Sequence, residues 1–454
     1  MLKRLTVLAI AIAFAAGSAF ADAKNGGIAR EVAMGGGPAD GNLVLNPFIF
    51  GDPSYMLINP AYQAQYKDYA WSNIGGGTTA GLTTGDNGYG KQNAGVSFGL
   101  SKEFSLGAVL SYDPSSINNP AYRNALNTFI NGTGHRAPNP NGLAPVDVFE
   151  VVGAFGLGNL DLGFAVLYGW SNNDAKGTTG VAGQEAQISA HVFGVRGGLN
   201  MDLGGGSRFE ASAALRLDKM TDLATTSATS GSSEFGLAAT ELQVVARLRL
   251  KVSNRVAFVP YGSFLSISGD PKEDQVPTGV TATTLSMTNT VTVLAVGAGA
   301  EYKVSNFLLA GGVSFNSNTT KSEQSAPSPA PTFTHTVTVT GFPVMNLGME
   351  WWFVDWLAGR VGYYRSFQST DTKDESSAPG SVADETIVFG GISNAPIGGY
   401  AGDGIVTLGV GLRFGNFGLD ATVSEEALRR GLGLIGASDN INTFGYMTAS
   451  FNFE

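Results

Sequence analysis

The chain has 454 residues, a formal net charge of −10, 63 glycines, 18 prolines and no cysteine. The missing thiols exclude disulfides, thiolate metal centres, haem attachment through cysteine and a cysteine nucleophile, and the acidic balance speaks against a nucleic-acid partner. Charged residues are only 14 %, well under the roughly 25 % of soluble domains, yet beyond the N-terminus no apolar run reaches the ~18 residues a spanning helix needs.

The N-terminus carries Lys3 and Arg4, then a short apolar run from Leu5 to Ala16, then Ala19-Phe20-Ala21. A basic start, a short apolar core and a small-x-small site predict that residues 1–21 are a cleaved signal peptide and that the chain is exported. Residues 22–67 are rich in glycine and proline and weakly periodic, but they contain apolar runs at Leu43–Phe50 and Tyr55–Ile58. A disordered tail rarely carries such runs. This segment is expected to fold into the structure that follows as a hatch or plug, the alternative being a periplasmic arm against its rim.

From residue 68 to 454 one rhythm repeats: two alternating segments flank a very short turn, and a longer polar stretch follows. Seven short turns stand at Ser101-Lys102, Gly158-Asn159, Gly204-Gly205-Gly206, Ser253-Asn254, Ser305-Asn306, Val354-Asp355 and Gly415-Asn416. Longer connections are read at Pro114–Pro145, Thr221–Ser233, Gly269–Ser286, Asn318–Ala330 and Ser369–Gly402. In Glu241–Val252, Leu242, Val244, Ala246, Leu248 and Leu250 alternate with Glu241, Gln243, Arg247, Arg249 and Lys251. Side chains of a strand point to opposite faces with period two, so each segment has one apolar and one polar or small face.

Aromatic residues collect at the strand ends, with Phe104, Trp351, Phe353, Trp356 and Phe414 beside short turns and Trp170, Tyr363 and Phe367 near the long connections. A soluble sandwich also alternates. The turn asymmetry, the two aromatic girdles and the export signal instead predict an all-β fold, a transmembrane antiparallel β-barrel of about 16 strands (14 to 16), in the outer membrane. Its partners are then outer-membrane lipid and small solutes, with a homo-oligomer or a periplasmic partner left open.

Enzyme chemistry finds little support. Gly95-Val96-Ser97-Phe98-Gly99 matches a nucleophile pattern, but it lies within a strand and not at the strand-to-helix elbow the motif needs. The three histidines, His135, His191 and His335, have no ligand neighbours at useful spacing, and Asp371, Asp374 and Glu375 read as a solvated acidic loop. No enzyme, cofactor or metal site is expected.

The polar strand faces are more informative. The alternation turns Arg196, Arg216, Arg247, Arg249 and Arg360 inward, together with Glu103, Glu150, Asp161, Glu210, Asp218, Glu241, Glu301 and Glu350. An arginine facing lipid at mid-height costs roughly 2–4 kcal/mol. Arg196, Arg216, Arg247, Arg249, Arg360, Glu241, Glu210 and Glu350 are therefore the candidate pore lining. Two readings stand side by side: a positive stripe that selects anions, or internal salt bridges that brace the barrel. Inward glycines such as Gly297, Gly299, Gly409 and Gly411 are expected to leave space, and the Pro114–Pro145 connection, with Arg123, His135 and Arg136, either to cap the outside or to fold into the lumen as a constriction, the second being preferred.

The plan resembles general diffusion porins. The N-terminal segment is more specific. Val32-Ala33-Met34-Gly35-Gly36-Gly37, Gly51-Asp52-Pro53-Ser54 and Asn59-Pro60-Ala61 resemble the start of the FadL-type transporters of hydrophobic compounds, over roughly the first 45 residues after the signal. That resemblance implies a hatch inside the barrel, with Asn59, Pro60 and Ala61 leading into the first strand. The chain departs from that family in its strand count, which exceeds the fourteen expected there, and in its charged lumen. Phe453 also stands one residue short of the C-terminal aromatic usual in such barrels. Three functions follow: a porin for passive diffusion of small polar or anionic solutes, which the charged lumen favours; a FadL-like transporter with a hatch; or a non-transport scaffold or sheath for a partner such as an electron carrier.

Overall fold

The computed structural model describes residues 26–36, 46–75, 93–112, 147–176, 185–227, 231–270, 272–276, 283–325, 333–376, 382–387, 405–423 and 444–453. The expected signal peptide, Pro114–Pro145 and His135 lie outside them.

Eighteen hydrogen-bonded segments form sixteen strands, because two pairs continue one another. They are β1 (Tyr69–Gly75), β2 (Asn93–Gly99), β3 (Phe104–Tyr112), β4 (Asp147–Gly156), β5 (Leu160–Lys176), β6 (Glu185–Gly204), β7 (Ser207–Ser227) and β8 (Gly231–Lys251). There follow β9 (Val256–Gly269, continued by Lys272–Val276), β10 (Thr283–Val304), β11 (Phe307–Ser325), β12 (Phe333–Val354) and β13 (Leu357–Ser376). The last are β14 (Val382–Ile387, then Ile405–Phe414), β15 (Phe417–Val423) and β16 (Phe444–Asn452). All neighbours are antiparallel, and β1 pairs with both β2 and β16, so the sheet closes on itself and no edge remains.

Every one of the seven expected short turns joins consecutive strands. Gly204, Gly205 and Gly206 all have positive φ, which a side chain would resist. Along β5 the outward positions Leu162, Phe164, Val166, Tyr168 and Trp170 are all exposed. At ~3.3 Å per residue and a tilt near 40° they span about 20 Å of height, close to the apolar band of an outer-membrane barrel. Rings of the lower girdle pack in pairs: Phe104 and Phe155 lie 4.8 Å apart between centroids, and Trp351 and Phe353 4.7 Å. Among the described residues no helix is long and apolar enough to cross a membrane. Closed strands with an apolar outer belt satisfy every backbone group internally, as a spanning structure must.

Above the belt the structure departs from the reading of long connections. β7 and β8 run on to Ser227 and from Gly231, and β11 and β13 continue to Ser325 and Ser376. These extensions stand in water on their outer face, so the apolar period that reveals a strand disappears while the hydrogen-bonded ladder persists. Threonines such as Thr334, Thr336, Thr338 and Thr340 suit that ladder. Glu103 also departs from expectation: it lies exposed in the first short turn, because the period of β3 stops at Phe104.

Candidate functional site

The lumen is occupied from the short-turn side by the chain's own N-terminal residues. A helical turn, α1 (Ile28–Ala33), is followed by two 3-10 turns at Pro53–Leu57 and Pro60–Ala64. Each 3-10 turn starts with proline, whose fixed φ and missing N–H suit a first helical position. Each is capped by the residue before it: Asp52 accepts from Ser54 N at 2.9 Å and Asn59 from Ala61 N at 3.0 Å. Two of the three short motifs of this segment are thus caps; Asn59 also ties the segment to the wall, while Asp52 pairs with Arg30 of the same segment.

The ties run around the barrel. Ala29 N donates to Thr448 Oγ1 of β16 at 3.1 Å, and Asn346 Nδ2 of β12 donates to Gly35 O at 2.8 Å. Phe50 N donates to Glu301 of β10 at 2.8 Å. Asn59 Nδ2 donates to Leu199 O of β6 at 3.1 Å, and Gln63 Nε2 to Ser97 Oγ of β2 at 2.6 Å. Ser97, the centre of the nucleophile-like motif, is thus a buried seat for the segment.

The inward glycines are also seats, not open space. A Cβ on Gly163 would overlap the backbone of Pro60 and Ala61, and one on Gly198 the side chain of Asn59. Gly348 and Gly362 abut Met34 and Gly35, Gly299 abuts Phe48, and Gly409 abuts Ala33. Gly411 makes room for the guanidinium of Arg360, and Gly297 faces Ser314 and Tyr261. Only glycine allows backbone to approach backbone this closely.

Two charged knots fix the segment. In the first, Arg30 lies 2.8 Å from Asp52 and 2.8 Å from Glu350, while Arg360 lies 2.7 Å from the same Glu350 and 2.6 Å from Asp420. In the second, Arg247 Nε donates to Glu210 at 2.7 Å and Nη1 to Ile49 O at 2.7 Å. Its guanidinium also lies over the rings of Tyr55 and Phe50, 3.5 and 4.2 Å from their centroids, the face-on contact that strengthens when desolvated. From there a line of rings, Tyr55, Tyr62, Tyr66, Tyr69 and Trp71, leads from the segment into β1 with centroids 5.4 to 6.3 Å apart.

All five candidate arginines face inward, and each meets a carboxylate. Arg196 bonds Glu150 across β5, Arg216 bonds its direct cross-strand partner Glu241, and Arg249 lies 2.5 Å from Glu301 across β9. Arg247 and Arg360 pair with Glu210 and Glu350 as above. Of the two readings of these residues, the geometry matches internal ion pairs. The stripe is also interrupted, because Arg360 stands on β13 while the others lie on β6, β7 and β8. Sequence reasoning missed Arg30 and Tyr62 and placed Asp52 and Tyr55 in the hatch without a bonding role, although the tyrosine spacing was a visible signal.

Toward the long-connection side the inner wall changes character. Val192 of β6, Met220 of β7, Leu237 of β8, Ile267 of β9 and Val291 of β10 form one buried apolar cluster with Val148 and Leu167. Opposite, β12 and β13 place His335 against Asp374. Among the described residues no group of three or more His, Asp or Glu is placed to hold a metal ion.

Fold and filled lumen together define a transmembrane β-barrel with an internal plug. No family model and no curated protein matches the chain. Among solved structures it is similar to a TodX monoaromatic hydrocarbon channel carrying the deltaS2S3 mutation, at 10 % identity and TM-score 0.42, over 95 % of this chain and 100 % of that one. The Pseudomonas putida toluene transporter TodX matches at 10 % identity and TM-score 0.38, over 95 % and 96 % of the two chains. The ferric yersiniabactin uptake receptor FyuA from Yersinia pestis matches at 8 % identity and TM-score 0.38, over 85 % and 80 %. At these identities and scores the activities of those proteins do not transfer to this chain.

Proposed function

We propose that this chain is an outer-membrane channel whose lumen is shut at the periplasmic side by its own N-terminal hatch, and that it passes small apolar solutes when the hatch shifts. The observation that carries this reading is the seating of residues 26–36 and 46–68 among inward side chains of strands from β1 to β16. A hatch held by hydrogen bonds, two charged knots and glycine seats blocks axial flow of water and ions. The apolar cluster above it offers a solute an entry of matching chemistry, since apolar surface leaves water favourably.

This reading is the hatch-bearing alternative raised by the sequence. It is preferred to an open porin for polar or anionic solutes because each candidate arginine has a carboxylate partner. A paired guanidinium adds little net field along a pore. No specific observation favours a scaffold.

The test is conductance of the purified full-length protein in a planar bilayer, beside release of an apolar and a polar tracer from liposomes. A silent barrel that releases the apolar tracer supports the proposal. Steady ion current through the unmodified protein would sink it in favour of an open porin.

A further inference from the structure

The outer wall carries a groove of about 470 Å³ across β5 to β9. Its level is fixed by where the apolar belt ends. The last large apolar outward residues are Phe193 on β6, Leu217 on β7 and Leu242 on β8. One outward step further stand His191, Lys219 and Thr240, and His191 is the direct cross-strand neighbour of Lys219. The groove therefore spans the boundary between acyl chains and headgroups on the long-connection side, which faces the cell exterior in such barrels.

The groove's chemistry is split in the same way. Its lower part is Tyr168, Phe193 and Leu217, each between 46 % and 47 % exposed. Its upper part holds His191, Lys219 and, just after the Val256–Gly269 segment of β9, Asp270. The strand between them, β8, contributes the small Ala238 and Ala239 and the hydroxyl of Thr240, and further along it a Cβ on Gly236 would have no neighbour within 4 Å. The outward lysines Lys321 and Lys373 are each paired with a glutamate of their own strand. Lys219 enters no ion pair among the described residues. Asp270 accepts from Thr288 Oγ1 at 2.9 Å, with Thr240 and Ser268 beside it in the groove.

We propose that this groove binds a phosphorylated glycolipid of the outer leaflet, its phosphate on Lys219 and His191, its sugar hydroxyls on Asp270 and Thr240, and an acyl chain along Phe193 and Leu217. A cation beside a carboxylate discriminates against a bare dianion, since Asp270 repels a second phosphate but accepts from hydroxyls. The aromatic floor provides the amphipathic contact that interfacial Tyr and Phe make with lipid. This proposal concerns the outer wall and is independent of the hatch.

The experiment is native mass spectrometry of the full-length protein in detergent, titrated with lipid A bearing its phosphates, the same lipid dephosphorylated, phosphatidylglycerol, or inorganic phosphate. The expected result is a one-lipid adduct with phosphorylated lipid A, retained roughly tenfold less when the lipid is dephosphorylated, the scale of one charge-assisted hydrogen bond. Lys219→Gln with His191→Gln should lower retention of phosphorylated lipid A by a similar factor, and Lys373→Gln should not. Asp270→Asn should weaken lipid A and leave phosphatidylglycerol unchanged. Equal retention of both forms of lipid A, undiminished retention by the double variant, or an adduct with inorganic phosphate of the same persistence would each overturn the proposal.

Discussion

Arg247 Nη2 donates to the hydroxyl of Tyr62 at 2.7 Å, and that hydroxyl in turn donates to Glu210 at 2.7 Å, so one residue of the wall and one of the hatch share a single carboxylate. All three groups are buried. Removing Arg247 leaves Glu210 with Arg208, 2.9 Å away, and the Tyr62 hydroxyl, and releases Ile49 O. Breaking a buried pair on one side typically costs roughly 3–5 kcal/mol, and the remaining Arg208 keeps the cost here at or below the lower end of that range. Arg247→Ala is therefore expected to free the middle of the hatch and to admit ion current in a bilayer. The barrel itself, held by its ladder, should still migrate as a folded band on an unheated gel. A variant as silent as the parent would mean that the knot does not hold the hatch.

The barrel was legible in the sequence because its signals are local. Alternation in Glu241–Val252 and a turn at Gly204-Gly205-Gly206 each need only a few neighbouring residues, and these lead to the correct strand number. The lumen was half legible. Period two places Arg247 and Glu210 on the inner face, but it cannot say that they are direct cross-strand partners with a hatch residue between them. Arg30 and Glu350 are 320 residues apart and Ala29 and Thr448 are 419 apart, and no local pattern encodes such a pairing. Gly409 and Gly299 read as empty space for the same reason: what fills them comes from another part of the chain.

Those glycines give a test that leaves charge untouched. Gly163 and Gly198 face the second 3-10 turn, whereas Gly197 has nothing within 4 Å of a built Cβ. Gly163→Val and Gly198→Val are expected to lift Asn59-Pro60-Ala61 off the wall and to raise leak current. Gly197→Val should behave as the parent. The comparison separates a seat for the hatch from a general intolerance of bulk in these strands, since Gly197 and Gly198 are adjacent on β6. Equal behaviour of all three variants would refute the seating.

The pairing of Arg216 with Glu241 separates bracing from ion selection. Glu241 is 2 % exposed, so Arg216→Gln leaves a buried carboxylate without its charge partner and should lower unfolding stability in lipid vesicles by roughly 3–5 kcal/mol. Arg216→Gln combined with Glu241→Gln removes both charges and should recover most of that loss. Placed in a leaky Gly163→Val background, the double variant should leave the reversal potential under a salt gradient unchanged. A shift toward cations would restore a selective role to the arginine.

Glu31, on α1 and outside the spanning strands, makes seating of the hatch depend on pH. One carboxylate oxygen accepts from Asn46 N at 3.0 Å, and the other, also buried, has no hydrogen-bond partner. Burial first, and the nearby Asp52 second, push its carboxyl well above the usual 4.5, against the opposing pull of Arg30 and Arg247. In a displaced hatch the group regains water and its ordinary value. The seated state then holds more protons than the displaced one between these two values, so linkage makes a rise in pH favour displacement. The contribution is fully present below about 4.5 and is lost as pH rises through the raised value. Leak current measured across a pH series should therefore increase toward alkaline pH, and Glu31→Gln, which stays neutral, should hold the current at its low-pH level throughout. A Glu31→Gln protein that still opens as pH rises would assign the dependence to other groups of the lumen.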